Sequence, residues 1–247
     1  MSATPDDTPT PVPDADGSAT SLPGLDDFYV PLTGDEPLVI AQLGQSLDGF
    51  IASRTGDAEF VTGPEDRRHL HVLRSLVDAV VVGAATVIAD DCRLTVRDAP
   101  LRTGHPTRVV LDPRGRVPRS SHLLTEPDAP TLWLVGEAAD VPDDLPEHVE
   151  VVVREPGAGY EPAEVLDALA ERGLRRVLVE GGGRLVSSFL AAGALDRLFV
   201  TCAPVLIGDG VPGLRFSGTD VLADAIRPPS RRLVLGDDVC TELLLRG

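Results

Sequence analysis

The stretch "RRVLVEGGGRLVSSFLAAG", residues 175–193, passes from a β-branched run through three glycines into an amphipathic segment. Such a pattern reads as a strand, a tight turn and a helix. A strand with no polar alternation is buried on both faces, as in a parallel sheet. The glycines admit two readings. N–H groups at a helix N-terminus, with no Cβ in front of them, form an anion site suited to phosphate. Alternatively, the triplet only permits a tight turn and close helix–sheet packing. Glu180, at the strand's exit, is either a surface carboxylate or a ligand for polar substrate groups at the carboxyl edge of the sheet.

The same strand pattern recurs outward from this point. "LVIAQLG" (38–44), "DAVVVGA" (78–84), "TRVVLD" (107–112), "TLWLVG" (131–136) and "VEVVV" (149–153) are continuous apolar runs. Between them "TGPE" predicts a helix start, with Thr62 as N-cap, Pro64 in the first turn and Glu65 at N3. "EPAEVLDALAERG" (161–173) predicts another helix, stopped by Gly173. "LDRLFVTCAPVLIG" and "RRLVLGDDVCTELLLRG" end the chain as strands without intervening helices. The prediction is an α/β fold: a mostly parallel central sheet flanked by helices, with an antiparallel C-terminal edge.

Residues 1–36 are rich in Pro, Asp, Thr and Ser, and the first basic residue is Arg54. Such a segment does not offset its ordering entropy, so a disordered tail is expected, followed by one domain over residues 37–247. The net charge of −17 disfavours nucleic acid and anionic membranes as partners. All 22 basic residues are Arg, which excludes a Schiff-base or P-loop lysine in this chain. Cys92, Cys202 and Cys240 form no C-x-x-C pair. His69 and His71 sit two apart on the first helix, while His105, His122 and His148 fall in predicted loops. No metal site is expected from these spacings. There is no signal-peptide pattern and no span-length apolar run, so a cytoplasmic location is expected.

Two further segments carry candidate chemistry. "GQSLDGFIA" (44–52) holds an Asp-Gly turn pair. "VGAATVIADDCRLTVR" (82–97) places Thr86, Asp90 and Asp91 beside Arg93 and Arg97. The acids form either a surface salt-bridge cluster or a site that orients substrate and donates a proton.

Together, "QSLDGFIA", "FVTGPEDRRHLHVLRSLVDAVVVGAATVIADDCRLTVR", "HPTRVVLD" and "VLVEGGGRLVSSFLAAGALDRLFVTCAPVLIGDG" closely resemble the RibD C-terminal family, the pyrimidine reductases of riboflavin biosynthesis, from about Leu38 to Leu245. The resemblance implies a dihydrofolate-reductase-like fold, a homodimer and NADPH as cofactor. It implies reduction of the ribosyl group of 5-amino-6-(5-phosphoribosylamino)uracil to ribityl by hydride transfer to the sugar C1′. Related substrates are a dihydrofolate or pterin and the 2,5-diamino-pyrimidinone ribosyl phosphate; a non-catalytic NADPH-binding module is the remaining alternative. By the same resemblance Gly44, Phe60, Thr86, Asp90, Pro113 and the run Gly182, Gly183, Arg184, Leu185, Val186, Ser187 and Ser188 contact the cofactor. Arg74, Leu94, Arg97 and Glu180 face a phosphorylated pyrimidine substrate, and Asp90 assists proton transfer. Arg114, Arg116 and Arg119 are candidate partners of the NADPH 2′-phosphate. Two positions depart from the family pattern: Ala58 replaces a serine, and Cys92 replaces the proline of Asp-Asp-Pro. The family's deaminase half, with its His/Cys zinc motif, has no counterpart here. This implies a stand-alone reductase served by a separate deaminase protein.

Overall fold

The computed structural model describes residues 26–59, 61–101, 104–154 and 160–246. These divide after Gly34 into a short N-terminal unit and a large one that begins at Asp35. In the short unit, Asp27–Leu32 forms a 3₁₀ helix whose first turn is capped by Asp26, which accepts from the Phe28 N–H at 2.8 Å. Residues 1–25 of the acidic segment lie outside the described residues.

The large unit is built from repeated strand–helix crossovers. β1 (Leu38–Ser46) is followed by β2 (Phe50–Ser53) and α1 (Pro64–Ser75). β3 (Ala79–Gly83) leads into α2 (Ala84–Asp90), and β4 (Thr107–Asp112) into α3 (His122–Thr125). β5 (Thr131–Gly136), β6 (Val149–Arg154) and α4 (Pro162–Ala170) precede β7 (Arg176–Val179), α5 (Gly183–Ala191) and β8 (Arg197–Ala203). β9 (Gly210–Pro212), β10 (Ser230–Leu235) and β11 (Asp238–Leu244) complete the chain. The main sheet has the order β10-β11-β8-β1-β7-β3-β4-β5-β6, while β2 pairs with β9 in a separate two-stranded sheet. Every pairing from β8 to β6 is parallel; β11 joins β8 antiparallel, and β10 joins β11 the same way.

The strands are apolar throughout because both faces are covered. On one face Val81, Val109, Leu132 and Val179 pack with Val165 and Leu169 of α4 and Val186 and Phe189 of α5. On the other, Val80, Val82, Val110 and Leu178 are likewise fully buried. Each such side chain contributes about 1.5–3 kcal/mol of burial free energy.

The predicted class and order of elements hold, with local departures. The N-cap of α1 is Gly63, not Thr62, and it makes no side-chain cap bond. Thr62 is withdrawn because its hydroxyl bonds Asp66 inside the fold. α4 ends at Ala170, and Gly173 turns the chain with φ +77. His122 starts the short helix α3 instead of lying in a loop. β9 turns away from the main sheet to β2, because Asp48 holds the preceding loop, accepting from the Gly208 N–H at 2.7 Å. The Asp-Gly pair therefore both turns β1 into β2 and anchors the loop after β8.

Candidate active site

β1, β7 and β3 are neighbouring parallel strands, so their carboxyl ends emerge side by side. A cleft of about 640 Å³ opens there, lined by Gly44 of β1, by Glu180, Gly181 and Gly182 after β7, and by Ala85 and Thr86 at the start of α2. α1 closes one wall through Asp66, Arg67, Leu70 and Arg74. Gly56, Ala58 and Glu59 also line the cleft.

The glycine triplet has three separate causes. Gly181 adopts φ +95, and a Cβ there would stand 2.5 Å from Thr86 Oγ1. Gly183 is pressed against the chain after β9: a Cβ would lie 2.1 Å from the Gly213 carbonyl oxygen. Gly182 has ordinary angles (φ −62, ψ 146), and a Cβ on it would meet nothing within 4 Å. It faces open cleft, and as N-cap of α5 it has no side chain to cover the first N–H groups of that helix. Its own N–H donates to Thr86 Oγ1 at 3.3 Å, which ties the starts of α5 and α2 together.

Glu180 is buried, and its backbone N–H donates to the Val81 carbonyl at 2.9 Å, which fixes it at the strand end. Arg74 reaches it from α1 in a bidentate pair: Nε donates to Oε1 and Nη2 to Oε2, each at 2.7 Å. Arg74 Nη1 also donates to the Thr95 carbonyl at 3.2 Å. Burial opposes the arginine's charge, and Glu180 more than restores it, so its pKa is raised. Each carboxylate oxygen retains acceptor capacity for a ligand hydroxyl or amine.

The two adjacent acids part company after α2. Asp90 lines the cleft, where desolvation raises its carboxyl pKa above the ordinary value. Asp91 takes φ +41, turns away and accepts from the His122 N–H at 2.9 Å. Leu94 is also left-handed, with φ +54, so the chain doubles back and sets Cys92 and Leu94 in the cleft. A non-glycine residue in that region costs about 1–2 kcal/mol. Here the His122 and Arg74 bonds on either side hold the conformation in place. Burial, and next Glu180, push the Cys92 thiol up to about 12, so it is not a reactive thiolate at neutral pH.

The structure thus brings Gly44, Arg74, Thr86, Asp90, Leu94, Glu180 and Gly182 to one cleft. Phe60 lies outside the described residues. Gly183 and Val186 are buried in packing, and Leu185 lies against the core. Ser187 accepts from the Arg215 N–H at 2.8 Å, and Ser188 donates to the Leu185 carbonyl at 2.7 Å. Arg184, Arg97, Pro113, Arg114, Arg116 and Arg119 are exposed and are not among the lining residues. Sequence reasoning missed Asp66 and Arg67. The signal was there: Thr62, Asp66, Leu70 and Arg74 repeat every four residues, which puts them on one face.

The description of the RibD C-terminal domain matches residues 37–233. The chain belongs to the RibD C-terminal domain family. It is 36% identical over 187 residues to the riboflavin biosynthesis protein RibD of Aquifex aeolicus, covering 75% of this chain and 51% of that protein. It is 38% identical over 221 residues to the 2,5-diamino-6-ribosylamino-4(3H)-pyrimidinone 5′-phosphate reductase of Methanothermobacter thermautotrophicus, covering 85% of this chain and 99% of that one. The chain therefore spans about half the RibD protein and nearly all of the archaeal reductase. Among solved structures, the deaminase/5-amino-6-(5-phosphoribosylamino)uracil reductase of Thermotoga maritima superposes with a TM-score of 0.69 at 28% identity, over 87% of this chain and 58% of that one.

Proposed function

We propose that this chain is the pyrimidine reductase of riboflavin biosynthesis, which reduces the ribosyl group of a phosphorylated ribosylamino-pyrimidine to ribityl with NADPH. The observation that carries this reading is the pairing of two different walls. Gly182 leaves open space, where a Cβ would meet nothing within 4 Å, at a helix start whose N–H groups suit a phosphate of the dinucleotide. Two residues earlier, Glu180, paired with Arg74 of the α1 wall, presents a rigid polar pair to a sugar and its base. NADPH, when bound, supplies the hydride that reduces the sugar C1′.

The chain's residues hold and protonate the substrate. Thr86 and Gly182 orient the cofactor's phosphates, and Glu180 accepts from ribose hydroxyls or the ring amine. Asp90, a carboxyl with a raised pKa at the cleft wall, delivers the proton. Asp90→Asn is expected to lower kcat by about 10²–10⁴-fold with KM little changed. An unchanged kcat refutes the role.

Two ring systems fit the reading. The resemblance in motif favours 5-amino-6-(5-phosphoribosylamino)uracil. The match across 99% of the archaeal reductase favours the 2,5-diamino-pyrimidinone analogue. Steady-state kinetics with both phosphates decide between them, and dihydrofolate serves as the control for a pterin reductase. The same reading makes the protein a cytoplasmic homodimer. Its support is the outer strand β10, whose Val234 is 72% exposed on an open sheet edge.

A further inference from the structure

His71 is a buried imidazole on α1, one turn before Arg74, and the reading above leaves it unused. Beside it runs the segment from Cys92 to Arg97, which belongs to no helix or strand although Leu94, Thr95 and Val96 are all buried. Backbone N–H groups buried outside a ladder need other acceptors. Here two imidazoles supply them. His71 Nδ1 accepts from the Arg97 N–H at 3.4 Å, and His105 Nδ1 accepts from the Val96 N–H at 3.2 Å. Arg74 Nη1 donates to the Thr95 carbonyl at 3.2 Å. Side chains thus tie three successive residues, directly after the left-handed Leu94 that lines the cleft.

An imidazole accepts at Nδ1 only when it is neutral, with its proton on Nε2. The protonated ring sets N–H against N–H and loses the bond. The charged groups around His71 are Arg74 on its own helix, Arg97 and Asp98 on the neighbouring segment, and Glu180 at the end of β7. Burial, then the two arginines, lower its pKa from the ordinary 6.5, and the two acids oppose them. The neutral ring is therefore the form present at neutral pH. We propose that His71 is a positioning residue, whose ring holds the segment Leu94–Arg97 in place and so shapes the substrate side of the cleft. This rests on the reductase reading and names a residue that sets one wall of its site.

The test follows substrate KM against pH in wild type, His71→Leu and His71→Asn, with the ribosylamino-pyrimidine phosphate that wild type reduces better. Leucine removes the acceptor, whereas asparagine offers an amide oxygen near the Nδ1 position and does not titrate. At about pH 7.5, His71→Leu is expected to raise KM roughly tenfold while kcat changes less than about threefold. His71→Asn is expected to restore most of that KM. In wild type, KM is expected to rise as pH falls below 6.5, when the ring takes up its proton. The substrate phosphate titrates near pH 6 in every case, so the signal is the difference between profiles. By about pH 5 the rise in His71→Asn is expected to be smaller than in wild type by roughly threefold or more. A leucine variant with wild-type KM, an asparagine variant no better than leucine, or superimposable profiles overturn the inference and leave the reductase reading intact. The ring ¹⁵N chemical shifts of wild type need no variant. A proton on Nε2 and none on Nδ1 is expected at neutral pH, and a proton on Nδ1 refutes the hold on Arg97. If wild type neither binds nor reduces either pyrimidine phosphate, the reductase reading falls and this inference falls with it.

Discussion

A Cβ at Gly182 would enter open cleft, whereas one at Gly183 would sit 2.1 Å from the Gly213 carbonyl oxygen. The two substitutions therefore separate binding from folding. Gly182→Thr retains a residue suited to an N-cap, so its melting temperature is expected to stay within a few degrees of wild type. Its NADPH affinity is expected to fall about tenfold, because the added atoms occupy the approach to the α5 N-terminus. Gly183→Ala is expected to lose about 1–3 kcal/mol in denaturant unfolding through overpacking. A Gly182→Thr protein that binds NADPH normally contradicts a phosphate site at the α5 N-terminus. The buried pair Arg74–Glu180 is a second residue-scale test. Removing one partner leaves an uncompensated buried charge, so Arg74→Met is expected to cost about 3–5 kcal/mol. The double variant Arg74→Met with Glu180→Leu is expected to cost less than the two single changes summed. Additive costs in that cycle contradict the coupling. Family resemblance put both residues on the substrate side but did not reveal that they pair. A strand-end acid and a residue in the last turn of a helix meet only through the fold.

At the scale of elements, the strands were legible because burial on both faces leaves an unbroken apolar run. The helices were legible because their apolar residues recur with the helical period. Caps were less so: "TGPE" satisfies a capping pattern on paper, but Thr62 is worth more as a partner of the buried Asp66. α1 also brings a titratable group into the core. His69 is buried against Phe199, with its Nε2 3.7 Å from Cys240 Sγ. Burial lowers its pKa from 6.5 to about 4. The unfolded chain therefore binds the proton more readily than the folded one. The neutral histidine's contribution is complete above about pH 6.5 and is lost as pH falls towards about 4. The loss reaches about 3 kcal/mol at the low end. His69→Gln is expected to flatten the fall in unfolding free energy between those pH values. An unchanged pH slope contradicts the assignment of acid sensitivity to this residue.

For the whole molecule, the parallel order β8-β1-β7-β3 gathers motifs that lie more than a hundred residues apart into one cleft. The sequence pattern showed the segments and their chemistry, and family resemblance supplied their common purpose. Their placement depended on topology, which no local signal carries. For that reason Val186 and Ser187, four and five residues after the cleft residue Gly182, point into packing, while Asp66, a distant helix residue, lines the site. A dinucleotide that binds the folded chain and not the unfolded one stabilises it by mass action. At about 100 times Kd, NADPH is expected to add roughly 2.7 kcal/mol. It is expected to raise the melting temperature more than NADH at equal concentration, and equal shifts contradict selectivity for the 2′-phosphate. The central claim is catalytic, and one assay tests it most directly: the loss of nicotinamide absorbance when the purified protein and NADPH meet the ribosylamino-pyrimidine phosphates. The account predicts saturable NADPH oxidation yielding the ribityl product, with none supported by dihydrofolate. Absence of turnover with both pyrimidine phosphates, under conditions where NADPH binds, contradicts it.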